Sequence, residues 1–283
     1  MSQTFLREFF PWLMPQLVAA GKTALEIQKQ LTTHDGPAQK DEGSAFARAL
    51  TDADGIIQTQ LGAALLGQFP HIRFIGEEED RVSRYFLQNS RISVTLDPVN
   101  GTLFYKNGLP IFDIILTVRY DEEIIGAIVY LPAQRRFFYA TSDGAVWSQG
   151  SNFNDTGVAR LLNLCIERLE PIIVTSSLRP EIRTQLESAG FRVVDMAAEY
   201  KPGDRNWKFS GCSLLRSQAT AIVKERGSLM DWGAVAYIAS RAGGRATDFA
   251  GNPPAYDPKT LRAPTLVASS SPEVHERILN AIR

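Results

Sequence analysis

Between Phe112 and Thr141 the chain is built almost wholly from β-branched, aliphatic and aromatic residues, in three runs: Phe112–Tyr120, Ile124–Leu131 and Arg136–Thr141. Asp121-Glu122-Glu123 separates the first two runs, and Ser142-Asp143-Gly144 follows the third. Side chains of this kind suit a pleated surface, and short polar turn residues between them favour hairpins. The stretch therefore predicts an antiparallel meander. Any fold for this chain must be arranged around it.

The flanking segments are mixed. Helices are expected over 5–31 and 52–68, the second from the spacing of Ile56, Ile57, Leu61, Ala64 and Leu65. Residues 32–46 carry loop chemistry: Asp35-Gly36-Pro37, then Lys40 to Ser44. Short strands are expected at His71–Ile75 and Ile92–Leu96. Beyond residue 150 the types alternate. Strands are expected at Pro171–Ser176, Phe191–Asp195, Ala219–Lys224 and Thr265–Ser269. Helices are expected at Pro180–Ala189, Asp231–Ala242 and Pro272–Ile282, with a helix start at Gly211–Ser217. Alternation of this kind indicates an α/β layer. The expected organisation is an α+β half over 1–150 and an α/β half over 151–283, packed around one cleft.

Bulk properties narrow the function. The 283 residues carry 30 basic and 31 acidic side chains, a net charge of -1, which offers no electrostatic grip on nucleic acid or an anionic membrane. A chain like this binds phosphate only by local means: backbone N–H groups, a helix N-terminus or bound cations. Two cysteines, Cys165 and Cys212, fit a reducing, cytoplasmic setting. The apolar start, Phe9 to Ala20, is too short to span a bilayer and lacks the basic flank of a signal peptide. It is expected to pack as an amphipathic helix on the body or on a partner subunit. His34, His71 and His275 fall in no ligand or triad pattern. Gly21-Lys22-Thr23 resembles the end of a phosphate-binding loop, but Gln16 stands where the leading glycine belongs, inside a predicted helix.

The carboxylates remain. One predicted strand runs into Gly76-Glu77-Glu78-Glu79-Asp80, the next into Asp97-Pro98-Val99-Asn100-Gly101-Thr102. Carboxylates just past strand ends are held firmly over a cleft, and hard cations such as magnesium want oxygen ligands so placed. Asp231, ahead of a predicted helix, either caps it or adds a third carboxylate. Taken singly, these features read as a solvated acidic loop, a turn and a helix cap.

As an ordered set they resemble the inositol monophosphatase family. The matching elements are Thr51-Asp52-Ala53-Asp54, Gly76-Glu77-Glu78, Asp97 to Thr102, Met230-Asp231 and Ala242-Gly243-Gly244. The resemblance covers roughly residues 45–270. It implies a layered αβαβα sandwich, usually a homodimer, that hydrolyses a small phosphate monoester with Mg2+. By the same resemblance Glu77, Asp97 and the Val99 carbonyl hold a first magnesium. Asp97, position 100 and Asp231 hold a second. Thr102, hydrogen-bonded to Asp54, helps take a proton from the attacking water, and the amides of Gly101 and Thr102 cradle the phosphate.

Position 100 departs from the pattern, since Asn100 stands where the family has aspartate. A neutral amide oxygen is a weaker ligand than a carboxylate, so a weakened second metal site is expected. Met230 replaces a tryptophan. Lys224 stands where inositol-specific members place a glutamate, and would suit a second phosphate or an acidic group on the substrate. Lys40 is the nearest candidate for the family's upstream lysine. The expected function is Mg-dependent hydrolysis of a sugar phosphate. The alternatives are a pseudo-phosphatase that binds a sugar phosphate and a phosphatase of bisphosphates.

Overall fold

The computed structural model describes residues 2–34, 45–164 and 171–283. Within these the chain divides into two compact units, residues 1–137 with 147–160, and residues 138–146 with 161–283. No helix among the described residues is long and apolar enough to cross a membrane.

The first unit begins with α1, Ser2–His34, which takes in Pro11 and Pro15 and runs past the expected end at residue 31. α2, Ala45–Gln68, starts earlier than expected. The expected loop over 32–46 is thus helix at both margins, and residues 35–44, with Lys40, lie outside the described residues. Beside the helices lie β1 (Arg73–Gly76), β2 (Ile92–Asn100), β3 (Asp113–Tyr120) and β4 (Glu123–Leu131), with α3 (Thr102–Lys106) between β2 and β3. β5 (Arg136–Thr141), β6 (Gly144–Gln149) and the two-residue β7 (Arg160–Leu161) follow in a sheet that keeps chain order from β1 to β7, residues 138–146 and 161 of them counting with the second unit. β1 pairs parallel with β2, while β2–β3 and β3–β4 are antiparallel. The meander forms where the β-branched runs place it.

The two faces of this sheet differ, because Ser93-Val94-Thr95-Leu96-Asp97 alternates strictly. The Val94 and Leu96 face takes the helices. A Cβ on Gly126 would meet Leu6 and Phe10 of α1 at 3.0 Å, and one on Gly21 would meet Tyr130 at 2.6 Å and Pro132 at 2.9 Å. Gly21 is therefore a helix–sheet contact point, and no phosphate loop starts there. The opposite face carries Ser93, Thr95, Asp97, Thr117 and Arg119, all buried.

The second unit holds β8 (Ile172–Val174), α4 (Pro180–Ser188), β9 (Val193–Asp195), β10 (Ala221–Ser228), α5 (Ala234–Arg241), β11 (Arg245–Thr247), β12 (Arg262–Ser269) and α6 (Pro272–Ile282). Its sheet order is β11-β12-β10-β8-β9. Ile182 and Leu186 of α4 and Ile278 and Leu279 of α6 share a core with Ala221, Val223 and Val267. Gly211–Ser217 is a run of turns and not a helix start: Ser213 Oγ accepts from Ser210 N, and Ser217 adopts a positive φ of 55° that ends any helical run.

His275 on α6 is fully buried. Its Nε2 lies 2.8 Å from Thr247 Oγ1 and its Nδ1 2.9 Å from Ser269 Oγ, so it joins α6 to β11 and β12. Burial, then repulsion from Arg245, pushes its pKa down to about 4. A histidine depressed in the fold contributes stability that is complete above its unfolded pKa and is lost as pH falls toward the folded one. Denaturation midpoints should therefore fall between pH 6.5 and 4, with a ceiling of about 3 kcal/mol. A His275→Gln variant, measured over the same range, should show a flatter profile, because every other titrating group is common to both proteins.

Candidate metal and phosphate site

The acidic segments meet because β1 and β2 are parallel neighbours. Gly76 pairs with Leu96, and Glu77 N donates to Leu96 O at 3.0 Å, so Glu77 and Asp97 follow side by side in one register. Glu77 is exposed and Asp97 buried. Asp97 does not lie past the strand end as expected. β2 continues to Asn100, because β3 goes on pairing with it.

That pairing contains an irregularity. Asp97 partners Ile115, and Asn100 partners Asp113, so three steps on β2 match two on β3. Such an extra residue is a β-bulge, and Pro98, with no N–H to give to a ladder, falls inside it. Ile115 and Asp113, two apart, lie on one face of β3, so their partners Asp97 and Asn100 also share a face. Asp97 Oδ1 accepts from Val99 N at 3.2 Å, which closes the turn locally. Gly101 then takes φ 88°, ψ 36° as the residue ahead of α3. Left-handed backbone of this kind favours glycine. The first amides of α3 have no acceptor within the helix.

Asp54 and Gln58 stand one turn apart on α2, hence on one face. Gln58 is fully buried and grips the acidic loop: Nε2 donates to Glu78 O at 2.6 Å and to Asp80 Oδ2, and Oε1 accepts from Glu78 N at 3.0 Å. A Cβ on Gly76 would come within 2.2 Å of Gln58 Cδ, so only glycine lets the amide approach. Asp80 in turn accepts from Ser83 N at 2.7 Å. Sequence reasoning missed Gln58. The available signal was a polar residue between buried Ile57 and Leu61, one turn from Asp54.

Asp54 is buried, and burial followed by repulsion from Glu78 and then Glu77 raises its pKa to about 7, against a smaller pull from Lys106. Burial and Glu77 also push Glu78 up. Thr102 departs from expectation: its Oγ1 donates to Val99 O at 3.2 Å rather than to Asp54, because the hydroxyl of a residue opening a helix turns back on the preceding chain. α3 is secured from behind. Gln28 Nε2 donates to Tyr105 O and Leu109 O, each at 3.1 Å, and Tyr105 Oη donates to Ala24 O at 2.6 Å.

In the second unit Asp231 lies within a π-helical turn, Leu229–Gly233, that precedes α5. It is not the cap. Ser228 Oγ accepts from Met230 N at 3.1 Å, while Asp231 Oδ1 accepts from Trp232 N at 2.7 Å. Insertions of this kind recur at functional positions. Lys224 sits half-buried within β10, Nζ 2.6 Å from Thr175 Oγ1 and 5.2 Å from the Trp232 ring centre. Burial lowers its pKa, and Asp231 pulls the other way.

Among the described residues no three His, Cys, Asp or Glu side chains converge as a ready-made metal cluster. Magnesium asks for less. One or two carboxylates suffice when water and phosphate oxygens complete the shell. Glu77 and Asp97 follow one another in register as two such carboxylates, and the negative charge that raises Asp54 is what a dication would relieve.

Residues 13–283 match the inositol monophosphatase family. An inositol monophosphatase of Dictyostelium discoideum is 23% identical over 145 residues, half of this chain and 53% of its own length. A Streptomyces griseus protein named glucose-1-phosphate thymidylyltransferase is 25% identical over 220 residues, 75% of this chain and 76% of its own. The solved inositol monophosphatase of Zymomonas mobilis covers 95% of this chain, and 96% of that chain is covered, with a TM-score of 0.67 at 16% identity. That likeness carries the fold, a layered α/β sandwich.

Asp54 generates a prediction of sign opposite to that of His275. A carboxyl raised in the fold loses its stabilising contribution as pH rises through about 7, so metal-free protein at pH 8 carries a strained Asp54. Asp54→Asn should raise the metal-free Tm at pH 8 by about 2–4 °C, reflecting ~1 kcal/mol, and by less at pH 5. Thermal melts in chelator at the two pH values check this.

Proposed function

This chain belongs to the inositol monophosphatase family, and from that membership we propose that it hydrolyses a small phosphate monoester, of the sugar-phosphate kind, with Mg2+. The observation that supports the reading best is the bulged end of β2, which turns Asp97 and Asn100 to one face beside Glu77 and leads directly into the left-handed Gly101. In this proposal Glu77, Asp97 and the Val99 carbonyl hold the first magnesium, and the N–H groups of Gly101 and Thr102 bind phosphate oxygens. When bound, the metal supplies a water of lowered pKa and offsets phosphate charge.

Asp54 takes the proton. In the metal-free protein burial and the neighbouring glutamates raise its pKa to about 7, and a bound dication would lower it, leaving Asp54 deprotonated and able to accept at neutral pH. Thr102, bonded to Val99 O, serves here to shape the phosphate turn. Gln58 holds the Glu77–Asp80 loop at the height of Asp97. The second-metal role of Asp231 rests on the family motif alone, with Asn100 as its neutral companion. A homodimer in the cytoplasm belongs to the same proposal.

Two other readings have a specific observation behind each. Asn100 favours a pseudo-phosphatase that binds a sugar phosphate without turning it over. Lys224, held in place by Thr175, favours a substrate with a second acidic group, such as a bisphosphate.

Purified protein should release phosphate from at least one member of a phosphomonoester panel, and only with magnesium. Glu77→Gln should lower kcat about 10²–10³-fold, the loss that follows removal of one preorganised charged group. Phosphate release from no substrate at saturating magnesium would sink the phosphatase reading. Retained binding of a sugar phosphate in that case would favour the pseudo-phosphatase.

A further inference from the structure

Asn100 and Asp113 are direct partners across β2 and β3, with Asn100 Nδ2 2.8 Å from Asp113 Oδ1. Asp113 is fully buried. A carboxylate only accepts hydrogen bonds, so the amide must turn its nitrogen toward it. Because the amide is planar, its oxygen then points away from Asp113.

We propose that Asp113 is a positioning residue, whose buried carboxylate locks the Asn100 amide and presents its Oδ1 as an oriented, polarised ligand on the face that carries Asp97. What that oxygen binds rests on the phosphatase reading. That it is held does not.

Two consequences follow from the chemistry. A hydrogen bond from an amide N–H to a buried carboxyl oxygen pulls electron density toward the amide's own carbonyl oxygen, so Asn100 Oδ1 is a better ligand than a free amide. Outer carboxylates act on histidine metal ligands in the same way. The carboxyl group missing at position 100 has also not left the site: it stands one strand away, on Asp113. Replacing Asn100 by aspartate alone does not restore a normal second metal site. It sets two carboxylates against each other across the ladder and removes the bond that orients them, and like charges directly opposite destabilise a sheet.

The test is a double-mutant cycle of the full chain: native, Asn100→Asp, Asp113→Asn and the exchanged pair. The metal-free Tm is measured in chelator, and magnesium affinity by calorimetry without substrate. Asn100→Asp should lower the metal-free Tm by ~2–4 °C, and the exchange should recover it. Asp113→Asn should weaken magnesium binding about tenfold, the usual cost of losing an outer carboxylate, and the exchange should bind at least as tightly as the native protein. A purely structural Asp113 would move Tm and leave magnesium affinity where it was, which overturns the proposal. So does an Asn100→Asp protein that keeps its native Tm, or the absence of magnesium binding in both native and exchanged proteins. The two readings separate cleanly. Coupling in the cycle with no phosphate release from any variant sinks the phosphatase reading and keeps the lock, whereas equal magnesium dependence of hydrolysis in all four proteins does the reverse.

Discussion

Asp97 and Asn100 are three apart on β2 yet lie on one face, because the pairing with β3 accommodates one extra residue. In a regular strand an odd separation sends side chains to opposite sides of the sheet. The bulge at Pro98 removes that conflict, and the candidate site depends on it. It lets β2 keep pairing to Asn100, sets Asn100 against Asp113, and delivers the chain to Gly101 at the angle that opens α3. β1 adds Glu77 by lying parallel to β2, with Gly76 opposite Leu96. The acidic residues are thus brought together by backbone pairing, and their own interactions oppose the arrangement.

That opposition is visible in Asp54. Burial and two neighbouring glutamates hold its carboxyl near neutrality. The surrounding frame must withstand this repulsion while no cation is present, and two devices provide the resistance. Gln58 pins the Glu77–Asp80 loop through three bonds, made possible by the missing side chain at Gly76. Gln28 and Tyr105 tie α3 to α1 from behind. Both use neutral amide or hydroxyl groups: Gln58 holds the acidic loop without neutralising it, and Gln28 and Tyr105 bond backbone carbonyls.

Much of this was legible in the residue order. The β-branched runs after Phe112 announced the meander, and the ordered acidic motifs announced the family. What was not legible depended on register. Asn100–Asp113 is a cross-strand pair thirteen residues apart, and only the bulge decides that Asp113 and not a neighbour faces the amide. Gln58 carries no motif, since an amide inside an amphipathic helix looks like any other polar residue until Gly76 is seen beneath it. The cap at Ser228 was hidden because the chain spends an extra residue on a π-helical turn, which shifts Asp231 off the position that a plain α-helix would give it.

The pairing of Asn100 with Asp113 also bears on how a sequence of this kind can change over time. A carboxylate and an amide facing each other form one bond whichever strand carries the acid. Two acids repel, and two amides lose the charge. The two serviceable arrangements are therefore separated by intermediates that are each worse, so a lineage passing from one to the other must cross a valley or change both positions at once. Residues 100 and 113 should for that reason be inherited as a unit, and a substitution harmless in one background should be harmful in the other.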